Sequence, residues 1–130
     1  MTTVTPFLMF EGQAEAAMTF YVGLLPDAAV TRLERYVPAG PGPEGQVYQG
    51  AFTLAGREFR CFDSPIHHAF TFTPAVSLFV DCRDEGEIDR LYTALSDGGQ
   101  VLMEIGNYGF SRKFGWANDR FGVSWQLNLP

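Results

Sequence analysis

The sequence predicts an α+β fold made of two tandem β-α-β-β-β modules. Three observations carry that prediction. An apolar strand followed by a helical stripe occurs twice, each pair leads into a hairpin, and the two halves align in register. In the first half, Thr5–Phe10 (TPFLMF) reads as a strand. Ala14, Ala17, Met18, Tyr21, Leu24 and Leu25 then fall at helical spacing, with Gly12 and Glu15 suited to the N-terminal cap and Pro26 as the stop. Val30–Val37 is a second strand, running into a segment, Pro38–Gly45, too rich in Pro and Gly for helix or sheet. Gln46–Leu54 and Arg57–Asp63 flank Ala55-Gly56 as a hairpin, and Ser64–Pro74 is irregular.

The pattern then restarts. Ala75–Asp81 is an apolar strand, and Asp84 with Glu87 forms a capping pair. Ile88, Leu91, Tyr92 and Leu95 make one stripe that exits at Gly98-Gly99. Val101–Ile105 is a strand, Gly106–Arg112 a glycine-containing loop, and Phe114–Asn118 with Val123–Leu129 a hairpin. A shift of 70 pairs Leu8 with Leu78 and Met18 with Ile88; a shift of 66 pairs Gly56 with Gly122, Phe59 with Trp125 and Arg60 with Gln126. The 130 residues thus form one domain, with module 1 over about 1–70 and module 2 over about 71–130.

Composition narrows the function classes. With 46% hydrophobic and 18% charged residues and 12 Phe, the chain is folded rather than disordered. Fifteen acidic against nine basic side chains, with no clustered Lys/Arg face, argue against nucleic acid as a partner. No apolar run reaches the ~20 residues of a membrane span, and the N-terminus lacks a basic-then-apolar signal. Cys61 and Cys82, the two cysteines, read as reduced thiols in a cytoplasmic protein.

Strand alternation separates two faces. Leu8, Phe10, Phe59, Cys61, Leu78, Val80, Trp125 and Leu127 form an apolar face that should pack on the helices. The opposite face carries Thr5, Phe7, Met9, Glu58, Arg60, Phe62, Ser77, Phe79, Ser124, Gln126 and Asn128. Leaving a buried polar group unpaired costs about 1–3 kcal/mol, so this mixed face should line a wet cleft, a ligand pocket or a subunit contact. The ligand-binding candidates there are Phe7, Met9, Arg60, Phe62, Ser77, Phe79 and Gln126. The guanidinium of Arg60 suits a carboxylate or phosphate, and the phenyl rings suit an apolar body. Glu58 is the candidate general base; mutual satisfaction of Glu58, Arg60 and Gln126 is the purely structural alternative. Pro38–Gly45 and Gly106–Arg112 serve as lids or as plain connections.

Four segments carry a family resemblance: Pro6–Tyr21 (PFLMFEGQAEAAMTFY), Phe70–Leu78 (FTFTPAVSL), Glu87–Leu91 (EIDRL) and Gly115–Gln126 (GWANDRFGVSWQ). With them the chain resembles the vicinal oxygen chelate (glyoxalase/bleomycin-resistance) superfamily. Within it, the chain is similar to the PhnB-like group, also described as 3-demethylubiquinone-9 3-methyltransferase-like. The resemblance implies a curved, cleft-lining sheet and a homodimer. It places the metal-ligand positions of metal-using members at Thr5 (or Pro6), Arg60, Ala75 and Gln126. Ala75 has no donor and Arg60 is a cation, so a metal-free cleft without a cofactor is expected. A metal-dependent lyase or isomerase would instead need ligands such as Asp63, His67 and His68. The methyltransferase description finds no support in the Gly-rich segment, which leads into a strand instead of a helix N-terminus.

Overall fold

A computed structural model describes residues 1–130. The chain divides into two compact units, Met1–His68 and Ala69–Pro130. The first holds β1 (Phe7–Phe10), α1 (Ala14–Val22), β2 (Ala29–Arg35), β3 (Val47–Leu54) and β4 (Arg57–Asp63). The second holds β5 (Leu78–Asp81), α2 (Glu85–Ser96), β6 (Gln100–Gly106), β7 (Lys113–Asn118) and β8 (Ser124–Leu129). Each is a β-α-β-β-β module with a four-stranded sheet, in the orders β1-β4-β3-β2 and β5-β8-β7-β6. In each, the first strand pairs in parallel with the fourth and the remaining pairs are antiparallel. A parallel partner requires a crossover, and the helix of each module supplies it. Neither helix is long and apolar enough to cross a membrane.

Most of each helix stripe buries: Ala14, Ala17, Met18 and Tyr21 on α1, and Ile88, Leu91 and Leu95 on α2, whereas Tyr92 stays half-buried with its hydroxyl on Glu104. Close approach needs small residues on the sheet. A Cβ on Gly50 of β3 would lie 2.9 Å from both Met18 Cε and Cys61 Sγ. A Cβ on Gly115 of β7 would lie 2.8 Å from the Tyr92 ring. At each place the missing side chain is the room the helix occupies.

Three local expectations need correction. Helix α1 ends at Val22, with Gly23 as its C-cap, so Leu24, Leu25 and Pro26 lie beyond it. Its N-terminus is held by neither Gly12 nor Glu15. The carboxylate of Asp63, arriving from the end of β4, accepts from Gly12 N at 2.8 Å and Ala14 N at 3.0 Å. Glu15 faces outward and takes a bidentate pair from Arg35 at 2.7 and 2.8 Å, a bond that lowers the carboxyl pKa and raises that of the guanidinium. Helix α2 does use its own cap: Asp84 Oδ1 accepts from Glu87 N at 2.8 Å, while Glu87 accepts from Arg83 N.

The third correction concerns the internal repeat. Leu8 pairs with Cys61 and Leu78 with Trp125. With Leu8 and Leu78 equivalent, Cys61 is the counterpart of Trp125 and Phe62 that of Gln126. The shift of 66 was two residues too long for this strand, an error that alternation hides because it preserves the face.

Both thiols are buried, and burial is the first cause that pushes Cys61 up to about 12 and Cys82 up to about 11, from the ordinary 9.0. The folded pKa lies above the unfolded one, so this contribution to stability is complete below pH 9.0 and falls as pH rises toward 11–12. A thiol-specific reagent at about pH 8 should label neither cysteine in the folded chain and both in denaturant. Prompt labelling of the folded chain would contradict the burial.

Candidate functional site

The alternation of β1, β3 and β4 puts Phe7, Met9, Ala51, Glu58, Arg60 and Phe62 on the sheet face away from α1. Cross-strand pairs order them into rows. Arg32 of β2 pairs with Ala51, Ala51 with Arg60, and Arg60 with Phe7. The small Ala51 side chain between two arginines leaves a hollow of about 250 Å³, lined by Phe7, Arg32, Gln49, Gly50, Ala51, Glu58, Arg60 and Cys61. Phe7 stacks on Phe62 with ring centroids 5.2 Å apart, a flat apolar wall beside the polar floor.

Charge on this face is arranged in couples. Arg60 Nε donates to Glu58 Oε2 at 2.8 Å, and Arg32 Nε donates to Glu34 Oε2. In each couple the residues are two apart on one strand, which places both on one face. The Nε edge is used in both arginines, and no protein acceptor meets the terminal nitrogens of either. The Arg60 side chain remains 55% exposed, so its fork faces solvent at the rim of the hollow.

The seven ligand-binding candidates divide between the units. Phe7, Met9, Arg60 and Phe62 come together on the first sheet, with Met9 opposite Phe62. Ser77, Phe79 and Gln126 lie together in the second unit, where Phe79 of β5 pairs with Gln126 of β8. There the polar groups pair with one another in part, while the buried Asn128 Oδ1 has no partner. Gln126 Nε2 donates to Ser77 Oγ at 2.9 Å, Trp116 Nε1 to Ser124 Oγ at 2.8 Å, and Asn128 Nδ2 to Asp81 Oδ1 at 2.9 Å. Phe79 packs near Phe114, which also meets Tyr108 and Phe110 from the loop 107–112. The expected mutual satisfaction is therefore partial: Glu58 and Arg60 pair, but Gln126 turns to Ser77.

Sequence reasoning missed Arg32, Gln49 and Ala51. The strand that carries Arg32 was expected, but its facing was not legible, because an irregularity between Val30 and Arg32 breaks the period of two. Ala51 gives no signal by itself; its importance is its smallness between two long neighbours.

Asp63 does not join His67 and His68. Its carboxylate is buried and committed to backbone, accepting from Val47 N at 2.9 Å as well as from the α1 terminus. His67 Nδ1 instead lies 2.8 Å from Glu11 Oε1, and His68 Nε2 lies 3.1 Å from Ser64 Oγ. The His67 bond, with the backbone N–H of His68, holds the Glu11 carboxyl below the usual range. No group of three or more His, Cys, Asp or Glu side chains is arranged to hold a metal ion. Of the positions the family resemblance marks for metal ligands, Ala75 has no donor atom and Arg60 is a cation engaged with Glu58; in the corrected register the counterpart of Gln126 is Phe62, which has no donor either, so this donor set does not fit a divalent ion.

With this geometry in view, the comparisons with known proteins decide the family. The family model for 3-demethylubiquinone-9 3-methyltransferase matches residues 2–128. The chain belongs to that PhnB-like family. It is 52% identical to the PhnB protein from Bacillus cereus, whose name carries the same methyltransferase description, covering 99% of this chain and 100% of that one with a TM-score of 0.97. A protein from Pseudomonas aeruginosa, 24% identical over 99% of this chain and 98% of its own, shares the fold with a TM-score of 0.80. So does the fosfomycin resistance protein FosX from Listeria monocytogenes, 10% identical over 100% of this chain and 94% of its own, with a TM-score of 0.61. No curated protein matches the chain. The PhnB-like chain thus has the glyoxalase-type fold of paired modules. Its Gly-rich segment joins the antiparallel strands β2 and β3, with no helix N-terminus following. That segment does not fit the strand–turn–helix cradle on which a nucleotide-type methyl donor would rest.

Proposed function

We propose that this PhnB-like chain binds a small organic anion with an apolar body on the open face of its first sheet, and that it does so without breaking a bond. The observation that carries the reading is the Arg60 fork at the rim of the hollow. Its Nε edge is fixed by Glu58, and its terminal nitrogens have no protein acceptor. A fork held at one edge loses less rotamer freedom when it takes a carboxylate, which favours binding. Phe7 and Phe62 supply the surface for the apolar part. A homodimer, as the family resemblance implies, belongs to the same proposal.

Benzoate is a suitable probe, with binding followed by NMR shifts at Phe7, Phe62 and Arg60. Arg60→Ala should weaken it about tenfold or more, in line with loss of one charge-assisted bidentate contact. Ala51→Leu, which fills the hollow, should abolish it. Unchanged affinity in Arg60→Ala would overturn the reading. Glu58 lines the same hollow, so the enzymatic alternative with Glu58 as general base has a separate readout. Recovery of the bound molecule unchanged supports sequestration. Its conversion, lost in Glu58→Gln, would support the enzyme instead.

A further inference from the structure

We infer that Arg32 is a second anion-binding residue of the hollow, and that the preferred ligand is an organic dicarboxylate bridging Arg32 and Arg60 across Ala51. This inference rests on the proposed binding at Arg60 and names the ligand class for that site.

The sheet register sets the geometry. Arg32 and Arg60 sit in one cross-strand row on either side of Ala51. Two strand spacings put their Cα atoms roughly 10 Å apart. Both side chains line one hollow, and the residue between them in the cross-strand row is Ala51. The two arginines are also held alike. Each gives its Nε edge to a glutamate two residues away on its own strand, Arg32 to Glu34 and Arg60 to Glu58, and leaves its terminal pair of N–H groups free. Such a terminal fork matches the two oxygens of one carboxylate. Two separate forks facing one hollow therefore match two separate carboxylates.

Charge placement favours that class over a single doubly charged head. Each Arg–Glu couple is close to neutral as a whole, with the carboxylate beside the Nε edge of its guanidinium. A phosphate monoester would concentrate about two negative charges at one point in a hollow that the Glu58 carboxylate also lines. Two single charges held apart each meet one fork and stay farther from the opposite glutamate. An apolar linker between them would rest on Ala51 and against Phe7.

The test compares isophthalate, benzoate and phenyl phosphate, three probes with the same ring, by titration calorimetry on the full chain and on Arg32 variants. Arg32 is exposed on the edge strand β2, so its replacement should leave the fold intact. Isophthalate should bind about tenfold tighter than benzoate and tighter than phenyl phosphate. Arg32→Ala should bring isophthalate down to the benzoate level while benzoate changes less than about twofold. Arg32→Lys should recover part of the loss, because an ammonium keeps the charge without the planar fork. The dicarboxylate assignment is overturned if isophthalate shows no advantage, if phenyl phosphate binds tighter, or if Arg32→Ala weakens benzoate and isophthalate equally. If no probe depends on Arg60, the underlying site falls too; benzoate binding that needs Arg60 but with Arg32 silent removes the dicarboxylate inference alone.

Discussion

Replacing Asp63 with alanine should lower stability by about 3–5 kcal/mol, because three backbone donors lose a buried ionised acceptor at once, and the loss should be concentrated in the first unit. Asp63 is 1% exposed, and its two carboxylate oxygens accept from three backbone donors, Gly12 N, Ala14 N and Val47 N. Its own carbonyl also accepts from the Tyr36 hydroxyl at 2.8 Å. One side chain therefore ties the start of α1, the start of β3 and the end of β4 together. Alanine would strand the three donors away from water, each at about 1–3 kcal/mol and not additively. Asparagine keeps the shape but turns an NH2 toward a backbone N–H, so Asp63→Asn should recover little. Urea denaturation measures the total, and amide exchange gives the location: Gly12, Ala14 and Val47 should lose protection before the strands of the second unit do. Wild-type stability in Asp63→Ala would show that another group takes up these donors.

In the second unit the largest effect should come from Trp125→Ala, at about 3–5 kcal/mol. Trp125 is the largest fully buried side chain, and its Nε1 donates to Asp119 Oδ2 at 2.9 Å. Asp119 is buried too, and its other oxygen accepts from Phe121 N and Val123 N, which shapes the turn between β7 and β8. Trp125→Phe separates the two contributions. It keeps most of the apolar contact and removes the indole donor, so it should cost about 1–3 kcal/mol. A double-mutant cycle with Asp119→Ala should show coupling between the two positions. Simple additivity would mean that the indole–carboxylate bond contributes nothing of its own.

The two modules were legible because their elements obey short-range periodicity. The helix stripes around Met18 and Ile88, the Asp84–Glu87 cap and the Ala55-Gly56 hairpin all depend on neighbours within a few residues. The facing of Phe7, Met9, Glu58, Arg60 and Phe62 followed from the same alternation. What escaped was set by partners far along the chain. The cap on α1 comes from Asp63, 49 residues from Ala14, and no pattern around Ala14 announces it. Arg32 is hidden by an irregular strand, and Gln126 finds Ser77, 49 positions away, instead of the Glu58–Arg60 pair that the purely structural alternative offered it.

Alone, the residue order of this chain determined its elements, their repetition, its family resemblance and which strand face would be mixed in polarity, because each follows from spacing along one segment. The tertiary structure decided which residues on that face meet: Arg32 and Arg60 about one small alanine, each anchored to its own glutamate. Register is the physical reason. A strand's alternation fixes which way its side chains point, but only hydrogen bonding to neighbouring strands fixes which of them stand side by side.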